Sequence, residues 1–160
     1  MAGKVKILLV EDNPGDAQLT IMALREAEFD CVVEHVLNGV EALEHLHAAA
    51  DAKDENRIDL VLLDINMPKL NGRDTLIRIQ GSDELRNIPV VMLTTSANED
   101  EVVFCYTHGA NAYLNKVHDF DAFVEMIRGF KNFWIGVVHG DRRKCDRLEG
   151  SAAAEYEAAN

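Results

Sequence analysis

Ile58-Asp59-Leu60-Val61-Leu62-Leu63-Asp64-Ile65-Asn66-Met67-Pro68 is the stretch of sequence that decides the fold. Apart from Asp59, its first half is a short apolar run, which is typical of a strand buried on both faces of a parallel sheet. The run ends at Asp64 and gives way to turn-forming residues. Ligands of open parallel sheets bind outside the carboxyl ends of the strands. Asp64 is therefore the first candidate functional residue.

Three further apolar runs also end on polar side chains. The runs at 7–10, 90–93 and 112–115 are followed, respectively, by Glu11 and Asp12, by Thr94, and by Lys116. Because the carboxyl ends of parallel strands share one edge of a sheet, these side chains are expected to meet. They would form an acidic pocket with a hydroxyl and an ammonium group beside it.

Strands and helices alternate along the rest of the chain. Strands are predicted at 5–10, 32–36, 58–64, 88–93 and 112–115. Helices are predicted from 14 to about 28, from 39, around 76–79, at 98–108 and from 119 to about 138. Asp12 or Asn13 would cap the first helix, Asp119 the last, and Gly109 would end the fourth in the left-handed conformation. The pattern predicts an α/β fold: a doubly wound, five-stranded parallel sheet flanked by five helices.

Size and charge limit the possible functions. The 160 residues suit one domain, predicted at 1–138, followed by a charged, small-residue tail at 139–160 that resembles flexible, vector-derived sequence. The net charge of −12 argues against binding to nucleic acid or to anionic membranes. Neither a signal peptide nor a membrane span is visible, and three distant cysteines without Cys-x-x-Cys spacing indicate reduced thiols. These features predict a cytoplasmic protein.

The acidic pocket has an expected chemistry. Several carboxylates near one point repel each other unless a cation shares the site, and Mg²⁺ (or Mn²⁺) prefers such oxygen ligands. Asp12 and Asp64 are the predicted ligands, with Glu11 binding directly or through water. A carboxylate can also accept a phosphoryl group, while Lys116 and Thr94 would bind the phosphoryl oxygens.

Together these motifs resemble the receiver domain of two-component response regulators. The resemblance covers roughly residues 4–138 and rests on Glu11-Asp12, on 64–72 (Asp-Ile-Asn-Met-Pro-Lys-Leu-Asn-Gly), and on Thr94, Tyr113 and Lys116. It implies a flavodoxin-like sheet of order 2-1-3-4-5, a histidine kinase as partner, and Asp64 as phosphoacceptor. It also implies the Asn66 main-chain carbonyl as a further metal ligand and Thr94 with Tyr113 as the switch pair.

A finer resemblance is to single-domain regulators paired with bacterial phytochrome kinases. It rests on residues 11–16 (Glu-Asp-Asn-Pro-Gly-Asp), on Thr94-Thr95-Ser96, on the inserted 51–57 and on the aromatic end of the last helix. This subgroup implies a stand-alone regulator that forms a homodimer. The predicted dimer contacts are Phe130, Phe133, Trp134 and Val137, and packing within the chain's own core is the alternative.

One departure and two competing functions stay open. The family usually follows its lysine with proline, whereas Val117 follows Lys116 here, which predicts slower phosphoryl chemistry. The first alternative is a degenerate receiver that acts as a constitutive binding or dimerisation module. The second, a flavodoxin-like cofactor enzyme, is disfavoured because acids rather than a phosphate-cradling loop follow the first strand.

Overall fold

Strands and helices alternate throughout the described part of the chain. The computed structural model describes residues 4–50, 57–67, 69–95, 98–116 and 119–137, although the side chains of 135–137 lie outside the description. The strands are β1 (Val5–Val10), β2 (Cys31–Val36), β3 (Leu60–Asp64), β4 (Val90–Thr94) and β5 (Ala112–Asn115). The helices are α1 (Pro14–Glu26), α2 (Gly39–Ala50), α3 (Gly72–Gln80), α4 (Glu99–Thr107) and α5 (Phe120–Val137).

All five strands are parallel and lie in the order β2-β1-β3-β4-β5. This confirms the predicted fold class and strand order. In the register of neighbouring strands, Val10 pairs with Leu63, Asp64 with Leu93, and Thr94 with Asn115. The ends of β1, β3, β4 and β5 therefore lie side by side, as the sequence predicted.

The side chains of each strand alternate between two buried layers. Ile7 and Leu9 of β1 pack with α1 and α5, whereas Leu8 and Val10 pack with α2, α3 and α4. Both faces of the sheet are therefore covered, which explains why the strand segments 7–10, 60–63 and 90–93 are continuously apolar.

Local capping agrees with the sequence and resolves one of its alternatives. Asn13 Oδ1 accepts a hydrogen bond from the Asp16 amide at 3.1 Å, so Asn13 caps α1 and Asp12 is left for other contacts. Asp119 Oδ1 accepts from the Asp121 amide at 3.1 Å. Gly109 has a φ of 95°, the left-handed conformation expected after α4.

Most predicted ends differ from the observed ones by a residue or two. Helix α1 ends at Glu26 rather than near Glu28, because Glu28 itself adopts a left-handed φ of 58°. Strand β4 begins after Pro89, which has no N–H to donate to a ladder, and extends to Thr94. The switch candidate Thr94 is thus the last strand residue rather than the first loop residue.

Several features of the sequence lie outside the described residues. These are the predicted tail at 139–160, most of the insertion at 51–57, and Val117. Cys31 is half-buried and Cys105 is buried, and both are free thiols. In the described residues, no helix is long and apolar enough to cross a membrane.

Candidate functional site

Three carboxylates meet where β1 and β3 end. Glu11 is 1% exposed and Asp64 is 7% exposed, whereas Asp12 is open to solvent. One oxygen from each of the three lies within 4.8 Å of the other two. The residues predicted as metal ligands from two separate strand ends are therefore brought together by the fold.

Lys116 supplies the positive charge of this pocket. Its Nζ donates a hydrogen bond to Glu11 Oε2 at 2.5 Å and lies 3.6 Å from Asp64 Oδ1. A fourth carboxylate, Asp16 in the first turn of α1, is 3.8 Å from the same nitrogen. Asp16 was not among the predicted site residues. One signal in the sequence could have identified Asp16. It follows Asp12 by four residues and lies at the start of the helix that leaves the carboxyl edge of the sheet.

The electrostatics of the pocket disfavour charge on Asp64. Burial raises the pKa of Asp64 to about 7, and the charges of Glu11 and Asp12 add to the rise, although Lys116 opposes it. Burial alone would lower the pKa of Lys116. The hydrogen bond to Glu11 and the nearby carboxylates outweigh that effect and raise it. Lys116 therefore stays charged, whereas burial and the neighbouring carboxylates favour the neutral form of Asp64.

Thr94, at the same carboxyl edge of the sheet, and Tyr113 share an acceptor. The Thr94 hydroxyl, at the end of β4, is fully buried and donates to Glu101 Oε1 at 3.4 Å. The Tyr113 hydroxyl donates to the same oxygen at 3.4 Å, and the Tyr113 ring is buried. Burial raises the pKa of Tyr113 to about 12, with a smaller contribution from the Glu101 charge, although a hydrogen bond with Thr94 lowers it.

Glu101 belongs to the first turn of α4 and was not among the predicted site residues. An acidic residue in the first turn of a helix is ordinary because it complements the helix dipole, so the sequence offered no distinct signal. The backbone holds this region closely: the Lys116 amide donates to the Thr94 carbonyl at 2.6 Å.

The donor set fits a hard divalent cation. Carboxylate oxygens on two strand ends match the ligand preference of Mg²⁺ or Mn²⁺. Asn66 is exposed two residues beyond Asp64, in the turn where its carbonyl would be needed. Its ligand role stays a prediction.

The predicted dimer contacts divide into three groups. Phe130 is 3% exposed and Trp134 is 2% exposed. Their rings form a row with Phe29, with centroid distances of 6.5 Å (Phe29 to Phe130) and 6.2 Å (Phe130 to Trp134). These two side chains therefore belong to the chain's own core. Phe133 is half-buried, and the Val137 side chain lies outside the described residues, so the dimer contact stays a prediction that rests on these two.

A parallel 2-1-3-4-5 sheet with three carboxylates and a lysine at one edge defines a class of signalling protein. Residues 7–128 match the family model described as "Response regulator receiver domain". The chain belongs to this family, whose members accept a phosphoryl group and bind a divalent metal ion. This confirms the receiver resemblance noted in the sequence.

Its relatives include several phytochrome regulators. The response regulator Rcp1 of Synechocystis is 36% identical over 132 residues, which cover 82% of this chain and 90% of Rcp1. A structure of Rcp1 in its Mn²⁺-bound form has a TM-score of 0.69 and 37% identity, covering 81% of this chain and 94% of that one.

Two further structures belong to the same group. The phosphorylated cyanobacterial phytochrome response regulator RcpA has a TM-score of 0.73 and 36% identity, covering 83% of this chain and 95% of its own. The bacteriophytochrome response regulator RtBRR has a TM-score of 0.66 and 41% identity, covering 78% of this chain and 76% of its own. The chain is thus a response regulator with phytochrome-associated homologues, a group of receiver domains that interact with histidine kinases.

Proposed function

We propose that Asp64 accepts the phosphoryl group, with Mg²⁺ (or Mn²⁺) held by the carboxylates of Glu11, Asp12 and Asp64 and the main-chain carbonyl of Asn66. The observation that carries this proposal is the pocket itself. Three carboxylate oxygens lie within 4.8 Å of one another, and the Lys116 ammonium is 3.6 Å from Asp64 Oδ1. Such a pocket is suited to a cation and to an incoming anion.

The transfer can be written with its bonds balanced. An Asp64 oxygen attacks the phosphorus of a kinase phosphohistidine; the new O–P bond forms as the P–N bond breaks, and the imidazole nitrogen keeps that electron pair. Glu11, Asp12 and Asp64 would hold a divalent metal ion, which would offset charge on the phosphoryl oxygens. Lys116 provides a second positive charge, and the Thr94 hydroxyl donates to a phosphoryl oxygen. Attack by water on the same phosphorus later releases inorganic phosphate and restores Asp64.

The kinase proposed as partner is a bacterial phytochrome. This part of the proposal is supported by the relatives Rcp1, RcpA and RtBRR, the latter two being phytochrome response regulators by name. Receiver domains interact with histidine kinases, but the phytochrome pairing and a homodimeric state are proposals for this chain. A cytoplasmic location likewise stays a prediction.

Phosphorylation by a small donor tests the site directly. The protein is incubated with acetyl phosphate and Mg²⁺ and analysed on a phosphate-affinity gel, with EDTA as the metal-free arm. The wild type and the exposed control variant Asp83→Asn are expected to shift, and Asp64→Asn is expected not to shift. A retarded Asp64→Asn band would refute Asp64 as the acceptor. No shift in any variant would favour the constitutive binding module instead.

Transfer rates from different kinases test the partner. A light-activated bacterial phytochrome kinase, autophosphorylated with ATP, is expected to phosphorylate the protein faster than a chemotaxis kinase does. Equal rates, or a preference for the chemotaxis kinase, would contradict the phytochrome pairing without affecting the assignment of Asp64.

A further inference from the structure

Glu101 makes unusual contacts for an acidic residue in the first turn of a helix. It is the third residue of α4, three positions after the N-cap Asn98, where a glutamate often reaches back to the backbone of the cap. Here Glu101 Oε1 accepts from two side-chain hydroxyls of the sheet, Thr94 and Tyr113, each at 3.4 Å. The helix that follows β4 is thereby linked to Thr94 at the end of β4 and to Tyr113 within β5.

We propose that Glu101 is a positioning residue that restrains the switch pair, holding the Thr94 and Tyr113 hydroxyls until a phosphoryl group on Asp64 competes for the Thr94 proton. The inference rests on the proposed function of Asp64 and names the acceptor that opposes switching before phosphorylation. The family resemblance supplies the switch pair but not this carboxylate.

Hydrogen-bond stoichiometry makes the two states exclusive. A threonine hydroxyl has one proton to donate, and both a carboxylate and a phosphoryl group can only accept it. Thr94 is the last residue of β4 and follows Leu93, the register partner of Asp64, so both residues lie at the same carboxyl edge of the sheet. The family resemblance implies that the Thr94 hydroxyl turns toward a phosphoryl group at this edge. Thr94 also makes a hydrogen bond with the Tyr113 hydroxyl, so in the resting state its proton serves the network of Glu101 and Tyr113. Once Thr94 donates to the phosphoryl group, it donates to neither.

The charge of Glu101 adds to this competition. A phosphoryl group brings about −1.5 to −2 charges to the edge of the sheet, and a nearby carboxylate repels it. The same charge stabilises the hydroxyl contacts in the resting state, since hydrogen bonds to an ionised acceptor are stronger than neutral ones. Loss of the Thr94 contact would loosen the first turn of α4. This helix also carries Val103, an apolar side chain that is 63% exposed, so a change in α4 would reach the surface of the molecule.

Binding of beryllofluoride with Mg²⁺, measured by titration calorimetry on the full chain, tests the inference. Removing the restraint in Glu101→Ala should tighten beryllofluoride binding about fivefold, which corresponds to about 1 kcal/mol for one hydrogen bond. Glu101→Gln keeps an acceptor and removes the charge, so a smaller gain is expected. Glu99→Gln, an exposed acid in the same turn of α4, is the matched control and should bind as the wild type does.

A double-mutant cycle separates restraint from a structural effect. If Glu101 acts through the Thr94 hydroxyl, the gain from Glu101→Ala should disappear in a Thr94→Ala background. An unchanged affinity in Glu101→Ala, or a gain that persists without the hydroxyl, would overturn the inference while leaving Asp64 as the acceptor. If the wild type itself does not bind beryllofluoride, the proposed function fails and the inference with it.

Discussion

At the residue scale, Asp64 shows how a fold can make one carboxylate different from the rest. Its side chain is almost closed to water, two more acids lie beside it, and the Lys116 ammonium that faces it is shared with Glu11 and Asp16. Burial and repulsion both favour its neutral form, whereas a bound cation would relieve the repulsion. The repulsion that disfavours a charged Asp64 without metal is the same repulsion that favours binding of a cation at the proposed site.

The pKa of Asp64 leads to a pH-dependent stability. Because it rises from 3.8 to about 7, the native state binds more protons than the unfolded state between these values. The free energy of unfolding of the metal-free protein should therefore fall as pH rises from about 4 to 7, by on the order of 3 kcal/mol from this group. Asp64→Asn should lack this component and be more stable than the wild type at pH 8.

Urea unfolding in EDTA at pH 5 and pH 8 measures this effect. Comparing Asp64→Asn with the wild type isolates Asp64, because the six histidines are present in both proteins. Asp83→Asn, which changes an exposed carboxylate, should follow the wild type. Equal pH dependence in Asp64→Asn and the wild type would contradict the assigned pKa.

Metal binding should reverse the same penalty. The proposed Mg²⁺ site exists only in the native state, so adding Mg²⁺ should raise the free energy of unfolding in proportion to the logarithm of its concentration. Asp12→Asn removes one of the three clustered carboxylates and should weaken Mg²⁺ binding at least about tenfold, by loss of a charged ligand. Thermal unfolding across a Mg²⁺ titration gives both affinities; an Asp12→Asn curve that overlays the wild type would exclude Asp12 as a ligand.

At the element scale, the site depends on how closely α3 approaches the end of β3. Gly72, the first residue of α3, donates its amide hydrogen to the Ile65 carbonyl at 2.8 Å. A Cβ atom at this position would lie 2.2 Å from the Asp64 carbonyl oxygen and 2.7 Å from the Ile65 Cα. The glycine thus lets a helix start directly against the backbone that carries Asp64, the proposed phosphoacceptor.

Two glycine substitutions should have opposite effects. Gly72→Ala should lower the free energy of unfolding by about 3 kcal/mol, because backbone atoms cannot move aside as a flexible side chain can. Gly129 lies inside α5, and among the described residues no packed neighbour comes within 4 Å of the place its Cβ atom would take. Gly129→Ala should therefore raise stability by about 1 kcal/mol through helix propensity. Chemical denaturation measures both. A destabilised Gly129→Ala, or a Gly72→Ala as stable as the wild type, would contradict this account.

At the scale of the whole molecule, the carboxyl edge of the sheet carries the polar site, and the far end of α5 carries a row of aromatic side chains. The carboxyl edge of the sheet collects Glu11, Asp64, Thr94 and Lys116 from four strands, and α4 joins this edge through Glu101. The far end of α5 packs Phe130 against Phe29, and Trp134 against Phe130, in the core. A dimer formed through α5 would therefore use the rim of this aromatic row, where Phe133 lies, rather than its buried members.

Substitutions along α5 separate association from folding. Phe133→Ala should weaken the proposed dimer, measured by sedimentation velocity with and without Mg²⁺ and beryllofluoride, and should change the free energy of unfolding little. Phe130→Ala removes a buried ring and should cost about 3 to 5 kcal/mol of stability. If Phe133→Ala associates as the wild type does, the predicted contact at Phe133 is wrong.

Much of the fold and part of the site were predictable from the sequence. Asp12, Asp64, Thr94 and Lys116 could be found because each follows an apolar strand, and parallel strands bring their carboxyl ends to one edge. Asp16 and Glu101 were missed because helix-terminal acids are common and only their approach to Lys116 and Thr94 distinguishes them. The burial of Phe130 and Trp134 could not be separated from exposure, since an apolar helix end suits a core and an interface equally.

By itself, the sequence determined the order of strands and helices and the polar residues at the strand ends, because periodicity and turn chemistry act over a few neighbouring residues. Tertiary structure alone decided that Asn13 rather than Asp12 caps α1, that Lys116 contacts a glutamate 105 residues away, and that Glu101 accepts hydrogen bonds from the hydroxyls of the predicted switch pair. It also decided the raised pKa of Asp64. These properties depend on distances and burial between segments remote in the chain, which only the packed molecule defines.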